Sequence, residues 1–252
     1  MRMDATLMRL PSMARIRGAT TVELLYMLPV FFILTFAIIE TAFVFRMRST
    51  LNVASFQAAR TGAMQHALLA QTENKLARGM MPLYMKGSTS PAAYAEALIT
   101  TNAMLALLKS TAEPVRIISP TRTTFEAFRE TRRLAIPGDG VMRNRQVMAN
   151  DNLRWRPTTT RSVVIDGRTL PINIQDANIF KISTFWCYQL KTPLLDRLVN
   201  RVVSGVSGLG GSREQRACNA VGQMRGGYYL AVTSQATVRM QSDVVLHDNN
   251  LR

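Results

Sequence analysis

The sequence is poor in the residues from which metal centres and hydrolytic sites are usually built. It has two cysteines, Cys187 and Cys218, and two histidines, His66 and His247. That inventory cannot make a four-ligand zinc site from Cys and His alone, and no C-x-x-C occurs. His66 falls on a predicted helix and His247 near the tail, so neither has a triad context. No D-x-S-x-S metal motif is present. Gly205–Ser212 nearly spells a phosphate-binding loop, but Gly211 stands where the lysine belongs, so that reading fails. No carboxylate pair is singled out. The expectation is a non-enzyme with no cofactor, no metal and no small-molecule substrate. Acidic residues are also scarce, 16 against 31 Lys and Arg, for a net charge of +15. Such a balance suits lipid headgroups, acidic glycan, nucleic acid or an acidic partner, or is simply a solvated basic surface. Low-complexity runs are few and hydrophobic residues make up 47% of 252. General disorder is thereby excluded, and the length allows one or two domains with a real core.

What is present begins with "LLYMLPVFFILTFAIIETAFVF", Leu24 to Phe45, carrying one charge. As a helix, these roughly 22 residues cover the hydrocarbon core of a bilayer. A cleaved secretory signal would have an apolar core of only about 7–15 residues. A small-residue cleavage site at Val53–Ser55 is separated from the run by Arg46 and Arg48. A soluble core helix is rarely apolar on all faces for six turns. The run therefore predicts a membrane-spanning anchor. Arg2, Arg9, Arg15 and Arg17 precede it, while Arg46, Arg48 and Arg60 follow. The positive-inside rule then slightly favours a cytoplasmic amino terminus and an exported body. Export makes a Cys187–Cys218 disulfide the natural reading, worth roughly 3–4 kcal/mol in the chain-entropy model. Two buried thiols are the alternative.

Two glutamates sit at the ends of this run. A carboxylate well inside a bilayer costs about 2.5–3.5 kcal/mol on insertion scales. Neither Glu23 nor Glu40 has a lysine or arginine three or four positions away, so the helix itself supplies no cation. A neighbouring chain could supply one, or each carboxylate is tolerated near its interface.

Gly18 followed by Ala19, with Glu23 at the fifth position counted from Ala19, resembles a type IV prepilin processing site. The longer stretch "RGATTVELLYMLPVFFILTFAIIETAFVFRMRSTLNVASFQAARTGA", residues 17–63, resembles the TadE-like family of pseudopilins of the tight-adherence (Flp) pilus system. The shared features are the glycine, the Val-Glu pair, the proline after a leucine, the Ile-Ile-Glu, and the Ala-Ala-Arg-x-Gly beyond. The resemblance implies that a prepilin peptidase cuts between Gly18 and Ala19 on the inner face. Glu23 would then pair with the new Ala19 amine of an adjacent subunit, and Glu40 is grouped with it as a candidate assembly residue. The implied partners are the membrane, the peptidase, other pilins and pilus-assembly proteins. The implied place is the bacterial inner membrane, body in the periplasm, with incorporation into a pilus.

The organisation expected is a basic leader (1–18), a transmembrane and stalk helix (19–78) and an extracytoplasmic domain (79–252). Ala54, Ala58 and Gly62, and beside them Ser55, Ala59, Ala63 and Ala67, form two small-residue ridges suited to close helix packing. The stalk is expected to run unbroken to about Leu69 and residues 79–91 to be a linker. A helix follows from Pro91, then a short strand in "PVRIISP"; residues 122–160 give no clear pattern. Asp166–Gly167 marks a hairpin. "NIFKISTFWCYQL" reads as a strand, a short amphipathic helix starts at Leu194 and ends at Gly205, and a glycine-rich flexible loop is tied down by Cys218. "YLAVTSQATVRMQSDVV" alternates as a half-buried antiparallel strand. The fold class expected is α+β, a long amino-terminal helix over an antiparallel sheet. Around "NLRWRP", Trp155 is expected to anchor a loop in the core. Otherwise Arg154, Trp155 and Arg156 could bind DNA or acidic glycan.

Overall fold

The computed structural model describes residues 21–85, 87, 90–151, 153–165, 167–192, 211–247, 250 and 251. The leader, Gly18, Ala19, Asp166, the helix expected from Leu194 and most of the glycine-rich stretch lie outside the described residues.

Helix α1 spans Thr21–Met64. Thr35, Thr41 and Thr50 each donate back to the carbonyl four residues earlier, so these three hydroxyls are satisfied within the helix. The helix ends about one turn sooner than expected. His66 and Ala67 take positive φ, 57° and 58°, a costly conformation for residues other than glycine, sustained only by outside contacts. The carboxyl-terminal segment makes those contacts. Gln241 N and Ser242 Oγ donate to the Ala63 carbonyl, and His66 N donates to Ser242 Oγ. Val245 N donates to the His66 carbonyl. The orphan carbonyls at the end of α1 are thus satisfied from the far end of the chain.

Helix α2, Leu69–Met80, folds back antiparallel on α1. The ridges make this approach possible. A Cβ on Gly62 would lie 2.6 Å from Thr72 Oγ1 and 2.8 Å from the Phe180 ring, and one on Gly79 would lie 2.7 Å from Ala54 Cβ. Both ridges therefore pack on the chain's own body: Ala54, Ala58, Ala59 and Ala63 are buried. The expected linker opens with the end of α2 and a 3-10 turn, Met81–Leu83. Substituting Gly79→Val presses the new side chain onto the α1 backbone and should destabilise the body by about 1–3 kcal/mol, read as a lowered thermal midpoint.

Helix α3, Pro91–Thr111, starts as expected at Pro91, with Ser90 Oγ accepting from Ala93 N. Strand β1, Val115–Ser119, precedes α4, Arg122–Phe128, capped by Thr121. Strands β2, Arg129–Leu134, and β3, Arg143–Met148, pair with the short β8, Val244–Val245, in one antiparallel sheet. Strands β4, Arg161–Ile165, and β5, Arg168–Ile172, form the hairpin flanking Gly167. A short helix α5, Ile174–Ala177, leads into β6, Ile179–Gln189; α6, Arg213–Arg225, precedes β7, Tyr229–Arg239.

The central sheet has the antiparallel order β1-β6-β7. One face, with Phe180, Ile182, Thr184, Trp186 and Val232, meets the outer half of α1 and α2; Ser55 Oγ and Thr184 Oγ1 are 2.6 Å apart across that seam. On the other face, at one end, lies α6. Cys218 is therefore on a helix rather than in a flexible loop. Ser212 caps α6 by accepting from Gln215 N, and the one glycine within the helix is Gly222, in its second half. Gln215 in turn clamps β7, donating to the Tyr229 carbonyl and accepting from Ala231 N, both at 2.9 Å.

Candidate functional site

The amino-terminal half of α1 touches almost nothing. Apart from Glu40, every described side chain from Glu23 to Arg46 is exposed or half-buried, including Leu25, Phe31, Ile38 and Phe45. Exposing that much contiguous apolar surface to water is unfavourable by tens of kcal/mol at about 25 cal/mol per Å². Among the described residues this is the one helix long and apolar enough to cross a membrane, and its most apolar window is 6% buried. Pro29 lies inside it and removes one backbone donor. Glu23 stands exposed in the first turn.

Glu40 has a different setting. It is 5% exposed, and its Oε2 accepts from Thr192 N at 3.2 Å and Thr192 Oγ at 2.6 Å. The Tyr188 hydroxyl is buried beside the same carboxylate, short of hydrogen-bond geometry. Burial first, and then the neighbouring Glu40 carboxylate, hold that hydroxyl well above the usual tyrosine range. Glu40 thus has a partner in its own chain. Sequence reasoning missed Thr192 because 152 residues separate the two and no local signal joins them. The body reaches down α1 to this level, so the uncovered stretch is residues 23–39, about 25 Å as a helix, with Thr35, Phe36 and Ala37 half-buried within it.

Cys187 and Cys218 form a disulfide, Cα atoms 5.4 Å apart, joining β6 to α6. Around "NLRWRP" the expectation of a buried Trp155 is overturned: the ring is 80% exposed, with the Arg154 guanidinium 5.6 Å from its centre. The indole reaches no core because Arg156, one residue on, is tied to the sheet surface and holds the loop outward. Arg156 bonds Glu130 and Asp151, and Arg132 bonds Glu130, Asp151 and Asp243. The hydrogen bond from Arg132 foremost holds the Asp151 carboxyl below the usual aspartate range. Burial pushes Glu130 up, but Arg156 and Arg132 outweigh it and its net shift is downward. A depressed carboxyl pKa contributes stability that is present above the unfolded pKa and lost as pH falls through the folded one. Thermal midpoints should therefore decline on acidification from about pH 4 downward, and Asp151→Asn should flatten that decline. An acid limb of unchanged slope would contradict this role.

Together these features define a class: an α+β body carried on one long helix, whose amino-terminal half has the length and surface of a membrane span. Residues 18–60 match the family model described as TadE-like protein, in agreement with the resemblance carried by the sequence. The match covers Gly18, Glu23, Glu40, Ala54 and Ala58, and associates this segment with the tight-adherence pilus system. Neither a curated protein nor a solved structure matches the chain.

Proposed function

We propose that this protein is a minor pilin or pseudopilin that takes part in assembling a tight-adherence pilus, a structural and non-catalytic role in adhesion or biofilm formation. The TadE-like match over 18–60 carries the reading, because it falls on the very segment that presents a bare apolar helix with a glutamate in its first turn. In this reading the amino terminus begins inside the cell and the body stands in the periplasm, where the Cys187–Cys218 disulfide is chemically at home. A prepilin peptidase removes residues 1–18. The new Ala19 ammonium of one subunit meets Glu23 of its neighbour in a low-dielectric helix bundle, where a subunit out of register would leave the carboxylate unpaired. Glu40 is given a holding role, fastening the body to the top of the span through Thr192. Deleting the chain in its host should abolish surface pili, with recovery on complementation; undiminished pili in the deletion strain would contradict the proposal.

A second reading is favoured by one observation, the exposed Trp155 with Arg154 stacked on it. The body would then also capture DNA or an acidic glycan, by stacking plus phosphate or sulfate contact. Binding of DNA by the full chain in detergent should weaken steeply with salt and fall in Trp155→Ala; insensitivity to both would exclude capture at this loop.

A further inference from the structure

A cavity of about 350 Å³ opens beside the point where α1 leaves its apolar run. Phe43 and Arg46 of α1 form one wall; Tyr84, Trp186 and Lys191 line it from the body, and Arg225, the last residue of α6, stands at its far side. Three cations therefore converge on it, from α1, from the end of β6 and from α6. Among the described residues that line it there is no aspartate or glutamate. The nearby Glu40 carboxylate, buried and held by Thr192, offsets at most one of the three cations, so the cavity keeps a net positive charge.

The apolar part is equally defined. Trp186, fully buried, donates from Nε1 to the Tyr84 hydroxyl at 2.9 Å and fixes that ring, and the half-buried Tyr84 and Leu83 side chains offer the apolar wall. Burial raises the Tyr84 pKa to about 12, so the phenol stays neutral. The Lys191 ammonium sits 5.3 Å from the centre of the Phe43 ring, which holds a cation at the membrane end of the cavity. Phe43 belongs to the last turn of the apolar run and Arg46 is the first charge beyond it. The cavity thus lies at the depth where phosphate groups of a bilayer lie, with aromatic residues and long basic side chains of the kind found at that boundary. A ligand that is anionic at one end and apolar at the other fits it; a small soluble anion would use only the cations.

We propose that this cavity binds the phosphate headgroup and proximal acyl region of an anionic phospholipid in the leaflet beside the body. Arg46, Lys191 and Arg225 contact the phosphate, and Tyr84 and Leu83 take the glycerol and first methylenes. The bound lipid fixes the height of the body over the bilayer. The inference rests on the membrane span alone, not on cleavage after Gly18 or on pilus assembly, so the loss of either would leave it standing.

Native mass spectrometry of the full chain in neutral detergent, titrated with phosphatidylglycerol, phosphatidylcholine and glycerol 3-phosphate, tests it. Phosphatidylglycerol should bind at least about tenfold more tightly than phosphatidylcholine, through charge-assisted contacts to an unshielded anion. Glycerol 3-phosphate, lacking methylenes, should bind at least about a hundredfold more weakly than the lipid. The exposed pair Lys191→Gln/Arg225→Gln should lose about tenfold in affinity for phosphatidylglycerol without lowering the thermal midpoint. Removing the same charge elsewhere, with Arg129→Gln/Arg133→Gln on β2, should change nothing. Equal binding of both lipids, binding of glycerol 3-phosphate as tight as the lipid, or equal losses in the two double variants would each overturn the proposal.

Discussion

Glu23→Ala should leave the protein in the membrane at normal abundance and reduce surface pili, counted by electron microscopy, to background. Glu23 is on the exposed first turn of α1, far along the helix from the core that begins at Met47. Its loss should therefore not move the thermal midpoint of the body. Between subunits the position is different. Breaking an ion pair in a low-dielectric setting by removing one partner costs about 3–5 kcal/mol, because the remaining charge is stranded. At 1.4 kcal/mol per factor of ten, that is about a hundredfold to several thousandfold in the affinity of each subunit junction. A conservative Glu23→Gln keeps the shape and removes only the charge, so it should fail like the alanine variant. Normal piliation in both would remove Glu23 from assembly. A lowered body midpoint with normal membrane insertion would reassign it to folding.

The second large effect is expected from Cys187→Ser/Cys218→Ser. The bridge closes a sequence separation of 31 residues. Opening a loop of that size costs roughly 3–4 kcal/mol in the chain-entropy model. For a domain of this size the thermal midpoint should fall by roughly 10 °C, and a reducing agent should lower the wild-type midpoint by a similar amount. The consequence is local as well as global. The disulfide anchors α6 to β6, and the neighbouring Gln215 clamp satisfies β7 at Tyr229 and Ala231. Without the bridge that clamp must hold alone, so amide protons of β7 near Ala231 should exchange faster than those near Val238. Uniform loss of protection along β7 would contradict this picture.

Legibility in the sequence followed the range of the forces involved. Strands β6 and β7 alternate with period two, the β4–β5 hairpin carries its own turn signal, and α3 carries its own cap, so local pattern suffices for each. The stop of α1 at Met64 was not legible. His66 and Ala67 are ordinary helix residues, turned to positive φ by hydrogen bonds from Gln241, Ser242 and Val245. The small ridges were visible, but a ridge does not name its partner; here the partners are Thr72, Gly79 and Phe180 of the same chain. Strands β2 and β3 were hidden by their arginines; in the sheet Arg132 is compensated by Glu130, Asp151 and Asp243, and Arg145 by Asp139. Glu40 illustrates both sides. Its oddity was plain, while Thr192 and Tyr188 come to it only through the folding of β6 against α1. The exposure of Trp155 likewise follows from what Arg156 binds, which a window of six residues does not contain.

A cut after Gly18 is what would turn Glu23 from a misplaced carboxylate into half of a pair between chains. The direct measurement is the mass of the amino-terminal peptide of the protein isolated from piliated cells. The expected peptide begins at Ala19, with residues 1–18 gone. A chain that keeps its intact Met1 terminus in cells with functioning pili would contradict the cut, and with it the role given to Glu23.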